Sequence, residues 1–205
     1  MVKIVSKRYY MGMVKSSEPS RRMADLIVHI GRRAAAGEGG GALTPAQWSA
    51  LRYFSHANRF SRTPSAFASF QATTRGTASA TVNALVQGGY LLRQRSADDR
   101  RSVSLEPSEA GNRLLEQDPL LAMERAFNEL PPEQQRSLAA AIPSIASRMA
   151  EADGGAAFGN CHECCHLARS DSHDCRPYYC QREAAPLGAG ELDGLCAYFE
   201  PVNRS

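Results

Sequence analysis

The chain has 205 residues, of which 43% are hydrophobic and 22% charged, and its formal net charge at pH 7 is +3. This composition excludes a disordered chain, and the length suits one domain with an appendage. The sequence has no apolar run long enough for a membrane span and no secretory signal, so we expect a cytoplasmic protein without a membrane partner. In that reducing compartment, clustered cysteines bind metal or carry redox chemistry more readily than they form disulfides.

The first predicted elements are helices. Residues 1–19 are expected to be an N-terminal arm, either disordered or a mis-assigned start. Met23, Ile27 and Ile30 then recur at helical spacing, which predicts an amphipathic helix that ends at the glycine run 37–41.

Two capping signals predict the next helices. Thr44 and Gln47 have the spacing of a capping box and precede a short helix. The apolar face of that helix carries Trp48, Leu51 and Phe54. A Thr-Pro pair at 63–64 repeats the signal. After a tight turn, a helix rich in small residues ends at the glycines 88–89.

A hairpin and long helices are predicted next. Two short runs that favour strands flank the charged turn SADDRR, residues 96–101, and Ser108 is expected to cap the following helix. The remainder predicts two helical stretches separated at Leu130-Pro131-Pro132. Helical periodicity stops beyond residue 153.

The stretch GTASATVNALVQGGYLLRQRSADDRRSVSLEPSEAG, residues 76–111, resembles the recognition helix, wing and following helix start of the multiple antibiotic resistance regulator (MarR) family. Its most specific parts are the wing residues 99–101 and the segment LEPSEAG, in which Pro107 stands where the family usually has threonine. The likeness covers residues 20–152 in arrangement. It implies a mainly α fold: a winged helix-turn-helix with a two-stranded wing, whose long first and last helices form a homodimer.

The residues themselves are suited to DNA. Small residues let a helix enter a major groove, where its polar side chains can contact phosphates or base edges. Arginines at a hairpin tip suit a narrow minor groove, and an adjacent aspartate can orient one guanidinium. The expected DNA-binding residues are Arg75, Thr77, Ser79, Asn83, Asp99, Arg100 and Arg101. We therefore expect a dimer that binds a partly palindromic duplex. The chain shows no nucleophile paired with a base and no phosphate-binding loop, so we do not expect an enzyme.

The last part of the chain, residues 153–205, predicts a small metal-stabilised domain. Five of the six cysteines fall between Asn160 and Gln181. A CxxC pair lets two thiolates reach one metal centre from a single turn, and two further cysteines follow at equal intervals. The expected ligands are Cys161, Cys164, Cys180 and Cys196, with Cys175 and Cys165 in reserve.

An iron-sulfur cluster is the favoured cofactor, because structural zinc sites usually combine two CxxC-type knuckles and this chain has one such pair. Four thiolates satisfy a 4Fe-4S cluster, which we favour, and also a 2Fe-2S cluster; zinc is the alternative. The tail also resembles the cysteine-rich, cluster-binding tails of some bacterial regulators. His162 and His166 flank the cysteines and are candidates for a mixed site or for hydrogen bonds around it.

The predicted function is a DNA-binding transcriptional regulator whose operator binding is controlled by the cluster through redox, oxygen or iron sensing. The alternative is a MarR-type repressor that responds to a small-molecule effector and holds a structural zinc in its tail. Because the tail begins where the last long helix ends, we expect it to pack near the dimer helices and to alter the spacing of the recognition helices.

Overall fold

The protein is described by a computed structural model that covers residues 18–36, 43–95, 103–153, 157–169 and 177–202. The winged-helix part consists of α1 (Glu18–Ala36), α2 (Pro45–His56), α3 (Pro64–Phe70), α4 (Arg75–Gln87), β1 (Leu91–Arg95), β2 (Val103–Pro107), α5 (Glu109–Leu115), α6 (Leu120–Asn128) and α7 (Pro132–Asp153). The tail contains β3 (Leu167–Arg169), β4 (Tyr178–Cys180), β5 (Ala185–Leu187) and two 3-10 turns, at Cys161–Glu163 and Ala189–Glu191. None of the described helices is both long and apolar enough to cross a membrane.

The helix starts follow the capping residues. The Thr44 hydroxyl accepts a hydrogen bond from the Gln47 amide, and the Gln47 side chain accepts one from the Thr44 amide, so the predicted capping box is confirmed. The hydroxyls of Thr63, Thr74 and Ser108 cap α3, α4 and α5, each by accepting from the amide three residues later. Each cap satisfies an amide that the first turn of a helix would otherwise leave without a partner.

One core joins α2, α3, α4 and the hairpin. The apolar residues predicted on α2 and α4 are buried in it: Trp48, Leu51, Phe54, Val82 and Leu85. The strands β1 and β2 pair antiparallel, with Leu91 opposite Pro107 and Arg95 opposite Val103. Leu91 and Leu105 point into the core, so the hairpin is anchored to the helices that it follows. The winged helix-turn-helix predicted from the sequence is therefore confirmed.

The stretch predicted as one helix before Leu130 is instead two, and this part of the prediction is wrong. The chain leaves α5 after Leu115 and enters α6 at Leu120. Pro119 has no amide hydrogen and its ring disfavours a helical turn before it. Asp118 occupies the break, where its carboxylate accepts from the Leu120 amide at 2.7 Å and pairs with Arg52 of α2.

The tail packs against the connection between α2 and α3. Leu195 pairs with Ala57 in a parallel bridge, and the Phe158 ring meets the Phe70 ring of α3 edge-on at 5.0 Å. Our expectation that the tail lies beside the dimer helices is wrong. The physical reason is that Leu195 and Ala197 are apolar and pack against the main core, which draws this part of the tail to the α2–α3 connection.

Candidate DNA-binding surface and cysteine pocket

The helix α4 presents a polar, small-residue face to solvent. Arg75, Thr77 and Asn83 are exposed, whereas Ser79 is half-buried. The opposite face is fixed in the core by Ala78, Val82 and Leu85. Because the outward face lacks bulky side chains, α4 has the shape expected of a helix that enters a major groove.

Arg93 of β1 is a candidate DNA-binding residue that the sequence analysis missed. Its guanidinium donates a hydrogen bond to the Asn83 side-chain oxygen, which brings an exposed cation next to the recognition helix. The sequence holds no signal for this contact, because only the packing of β1 against α4 brings the two side chains together. An arginine in this place is suited to a phosphate contact.

The predicted wing residues Asp99, Arg100 and Arg101 lie outside the described residues. The strands on either side of them form the expected hairpin, from Arg95 and from Val103. Their role in DNA binding stays a prediction.

The four predicted metal ligands line one pocket in the tail, which we call the cysteine pocket: Cys161, Cys164, Cys180 and Cys196. They come from three parts of the tail. Cys161 opens a 3-10 turn capped by the Asn160 side chain, and Cys164 follows that turn. Cys180 ends β4, and Cys196 pairs with Gly159 in an antiparallel bridge.

Apolar side chains surround the cysteine pocket. Leu167 and Leu187 of the tail and Phe60 of the α2–α3 connection contribute to its lining. Cys161 and Cys196 are buried, while Cys164 and Cys180 are half-buried. The pocket therefore shields Cys161 and Cys196 from water more fully than Cys164 and Cys180.

The thiols are close enough to influence one another. Burial, followed by the charges of Cys196, Cys164 and Cys180, raises the pKa of the Cys161 thiol to about 11. Burial and the nearby Cys196 likewise raise the pKa of Tyr53 in α2. A bound cation reverses this tendency, because it stabilises the thiolate form that serves as its ligand.

Cys165, one of the two reserve ligands, is exposed and lies outside the cysteine pocket. Its neighbours in the chain, Cys164 and His166, do line it. Cys175 lies outside the described residues.

The histidines near the cysteines differ in position. His166 lines the cysteine pocket, and its Nε2 atom lies 3.3 Å from Glu200. His162 is exposed and its Nε2 atom lies 3.0 Å from Asp193. Only His166 is therefore placed to influence a centre in the pocket directly.

Glu200 was also missed by the sequence analysis. Its carboxylate pairs with Arg182 at 3.0 Å and lies near both Cys165 and His166. Among the described residues, Cys165, His166 and Glu200 form the one group of metal-binding side chains whose ligand atoms all lie within 4.8 Å of one another.

Comparison with known proteins supports the assignment of the fold. Residues 43–102 match the family model described as MarR family. The structure is similar to the transcriptional regulator SlyA, with 15% identity over 66% of this chain and 96% of that chain and a TM-score of 0.51. It is also similar to MepR of S. aureus in complex with DNA, with 18% identity over 65% of this chain and 99% of that chain and a TM-score of 0.50. No curated protein sequence matches the chain.

The matched residues 43–102 include the helices α2, α3 and α4 and the first strand of the hairpin, β1. The helix α4 is the one predicted as the recognition helix. They carry the capped helices, the small-residue face of α4 and the core that holds them together. The chain therefore has the winged helix-turn-helix fold, and its residues 43–102 are similar to the MarR family model.

Proposed function

We propose that the protein acts as a homodimeric transcriptional regulator whose binding to a partly palindromic operator is controlled by an iron-sulfur cluster in the cysteine pocket. The observation that carries the proposal is that four thiols from three parts of the tail line a single pocket built against the helix-turn-helix. MepR, which shares the fold, has been solved in complex with DNA.

The dimer is supported by apolar faces on the first and last helices. Ile27 and Ile30 of α1, and Ile142, Ile145 and Met149 of α7, are 43–62% exposed in the single chain. Helices whose apolar residues face water are stabilised when a second surface covers them. Two copies joined through α1 and α7 would bring two recognition helices to one duplex, as a palindromic operator requires.

The sequence pattern supports a cluster over zinc. Structural zinc sites usually combine two CxxC-type knuckles, whereas the tail has one such pair, Cys161 and Cys164. Iron-sulfur clusters accept more scattered ligands, and in a 4Fe-4S cluster each thiolate binds a different iron.

The chain's own residues explain how such a centre would be held and tuned. Cys161, Cys164, Cys180 and Cys196 would supply four thiolates, and the apolar lining would limit access of water. His166 lines the pocket with its Nε2 atom 3.3 Å from Glu200, and it is positioned to hydrogen-bond near the centre. When bound, the cluster supplies a charge and a set of bonds that change with oxidation or with loss of iron.

The identity of the centre is tested by metal analysis. We expect protein purified without air to be brown and to contain iron and inorganic sulfide. Replacing Cys180 and Cys196 with serine should abolish both signals, while the Cys165→Ser control should retain them because Cys165 lies outside the pocket. One zinc per chain and no iron would overturn the cluster.

Control of DNA binding needs a separate measurement. We expect the operator affinity of the loaded protein to differ at least tenfold from that of chelated protein and of the Cys180→Ser, Cys196→Ser variant, a change typical of coupled sites. All affinities are measured at one salt concentration, because phosphate contacts make binding salt-dependent. Equal affinities in dimeric samples would show that the centre is structural.

A further inference from the structure

We infer that the cysteine pocket acts on DNA binding through residues 57–62, which we call the linking segment, and that loss of the centre weakens operator binding. The inference rests on the proposed function. It differs from a change in dimer spacing, because the path lies within one chain and ends at the wing.

The linking segment is hydrogen-bonded to the part of the tail that carries Cys196. The Asn58 amide donates to the Leu195 carbonyl at 2.9 Å, and the Leu195 amide donates to the His56 carbonyl at 2.8 Å. On the other side of Cys196, the Ala197 amide donates to the Ser61 hydroxyl at 2.8 Å. Both chain neighbours of this cysteine are therefore fixed to the winged-helix domain.

Ser61 is the centre of this contact. It is fully buried, with 0% of its surface exposed. Its hydroxyl accepts from Ala197, its amide donates to the Asn58 side chain at 3.1 Å, and its carbonyl accepts from the Tyr53 hydroxyl at 2.8 Å. A buried polar group held by this many partners resists displacement, since each lost partner leaves a desolvated atom.

The other end of the linking segment holds the wing. The Leu105 amide of β2 donates to the Arg62 carbonyl at 2.9 Å, and the Arg62 guanidinium pairs with Glu106 of the same strand. Arg62 also donates to the Ala57 carbonyl at 3.0 Å, which closes the segment on itself. The position of β2 is therefore tied to the residue next to Ser61.

These contacts form a continuous path from Cys196 through Ser61 and Arg62 to β2. A metal centre bound to Cys196 fixes the tail end of this path, which holds the wing ready for DNA. Without the centre, the Cys196 segment loses an anchor, and the linking segment and β2 must be ordered when DNA binds. Ordering at that moment lowers affinity, because its entropic cost is subtracted from the binding free energy.

The inference is tested with Ser61→Ala, which removes only the hydroxyl that accepts from Ala197. The matched control is Ser55→Ala, whose hydroxyl bonds to the Arg52 carbonyl within α2. Operator dissociation constants are measured by fluorescence anisotropy for loaded and chelated forms of each protein. Hydrogen exchange of the Leu105 and Ala197 amides gives a readout that does not depend on DNA.

We expect chelation of the wild type to weaken binding at least tenfold and to speed exchange at both amides. Loaded Ser61→Ala should keep its iron, bind about tenfold more weakly than loaded wild type and show much less further loss on chelation, since a buried bond of this kind changes an equilibrium by about that factor. Ser55→Ala should behave as wild type.

Two results would overturn the inference while leaving the proposed function intact: tighter binding by chelated wild type, or an unchanged response to chelation in Ser61→Ala. Equal binding by loaded and chelated wild type would contradict both this inference and the proposed control of DNA binding by the cluster. If Ser61→Ala fails to fold or to keep iron, Arg59→Ala replaces it, because Arg59 joins the linking segment to the Pro186 carbonyl and to Glu191 from the surface. The same outcomes then apply to that variant.

Discussion

Asp118 shows how one side chain can determine a boundary between helices. Its carboxylate forms a two-bond pair with the Arg52 guanidinium at 2.6 and 2.5 Å, and the side chains of Arg52 and Asp118 are only 16% and 7% exposed. The same carboxylate also accepts from the amide of Leu120, the first residue of α6. One residue thus closes the break between α5 and α6 and fixes it to α2.

We predict that Asp118→Ala lowers the free energy of unfolding by about 3–5 kcal/mol, because removing one partner of a buried pair leaves the other charge without compensation. Chemical denaturation of the two proteins measures this. The matched control is Glu109→Ala, which breaks the exposed pair with Arg113 and should cost less than about 0.5 kcal/mol. Similar losses for both variants would show that the Arg52 pair contributes no more than a surface pair.

At the scale of elements, the recognition helix and the wing form one surface. Arg93 of β1 bonds to Asn83 of α4, so the hairpin and the helix are joined by a side-chain contact as well as by their shared core. A polar side chain held in one rotamer loses less entropy when it meets a phosphate or a base.

We predict that Arg101→Ala weakens operator binding by about 1–3 kcal/mol, the range for an arginine that contacts base edges or a narrow groove. A gel shift on one operator compares it with wild type. Arg125→Ala is the control, since Arg125 bonds to the Leu121 carbonyl of its own helix α6. Binding equal to that of wild type would remove Arg101 from the DNA-binding residues.

At the scale of the whole molecule, the exposed apolar faces of α1 and α7 set the expected assembly. We predict that Ile145→Asp raises the dimer dissociation constant by about a hundredfold, because each copy loses about 1.5 kcal/mol or more of apolar burial. Ile145→Leu should remain dimeric. Analytical ultracentrifugation measures both, and a dimer unaffected by the aspartate would place the interface elsewhere.

Much of the fold could be predicted because its signals are local. Thr44, Thr63 and Ser108 each stand directly before the first residue of a predicted helix, and the structure confirms each of these caps. The pairing of β1 with β2 follows from two strand-forming runs around one turn. In the cysteine tail, the spacing together with the aromatic and apolar neighbours of Cys180 and Cys196 selects four residues that the structure brings into one pocket, although their role as ligands stays a prediction.

The rest depends on contacts between distant parts of the chain. The break at Asp118 is stabilised by Arg52, a residue 66 positions earlier, and no local pattern reveals that partner. In the sequence, Ser61 is an ordinary loop serine. Only the structure shows that it accepts a hydrogen bond from the amide of Ala197, 136 positions later. The predicted place of the tail was wrong for the same reason: a sequence shows where the tail starts but not which surface its apolar residues complete.

The close fit of Gly194 against the linking segment limits how freely the tail can be exchanged between proteins. A side chain at this position would place its Cβ atom 2.9 Å from the Asn58 Cβ atom, closer than two such carbons approach in proteins. The tail is thus matched to one particular α2–α3 connection. Transplanting residues 157–202 onto another winged-helix regulator would transfer the cysteines without their attachment, unless the recipient also received residues 56–62. The tail and the α2–α3 connection can therefore be moved between proteins only together.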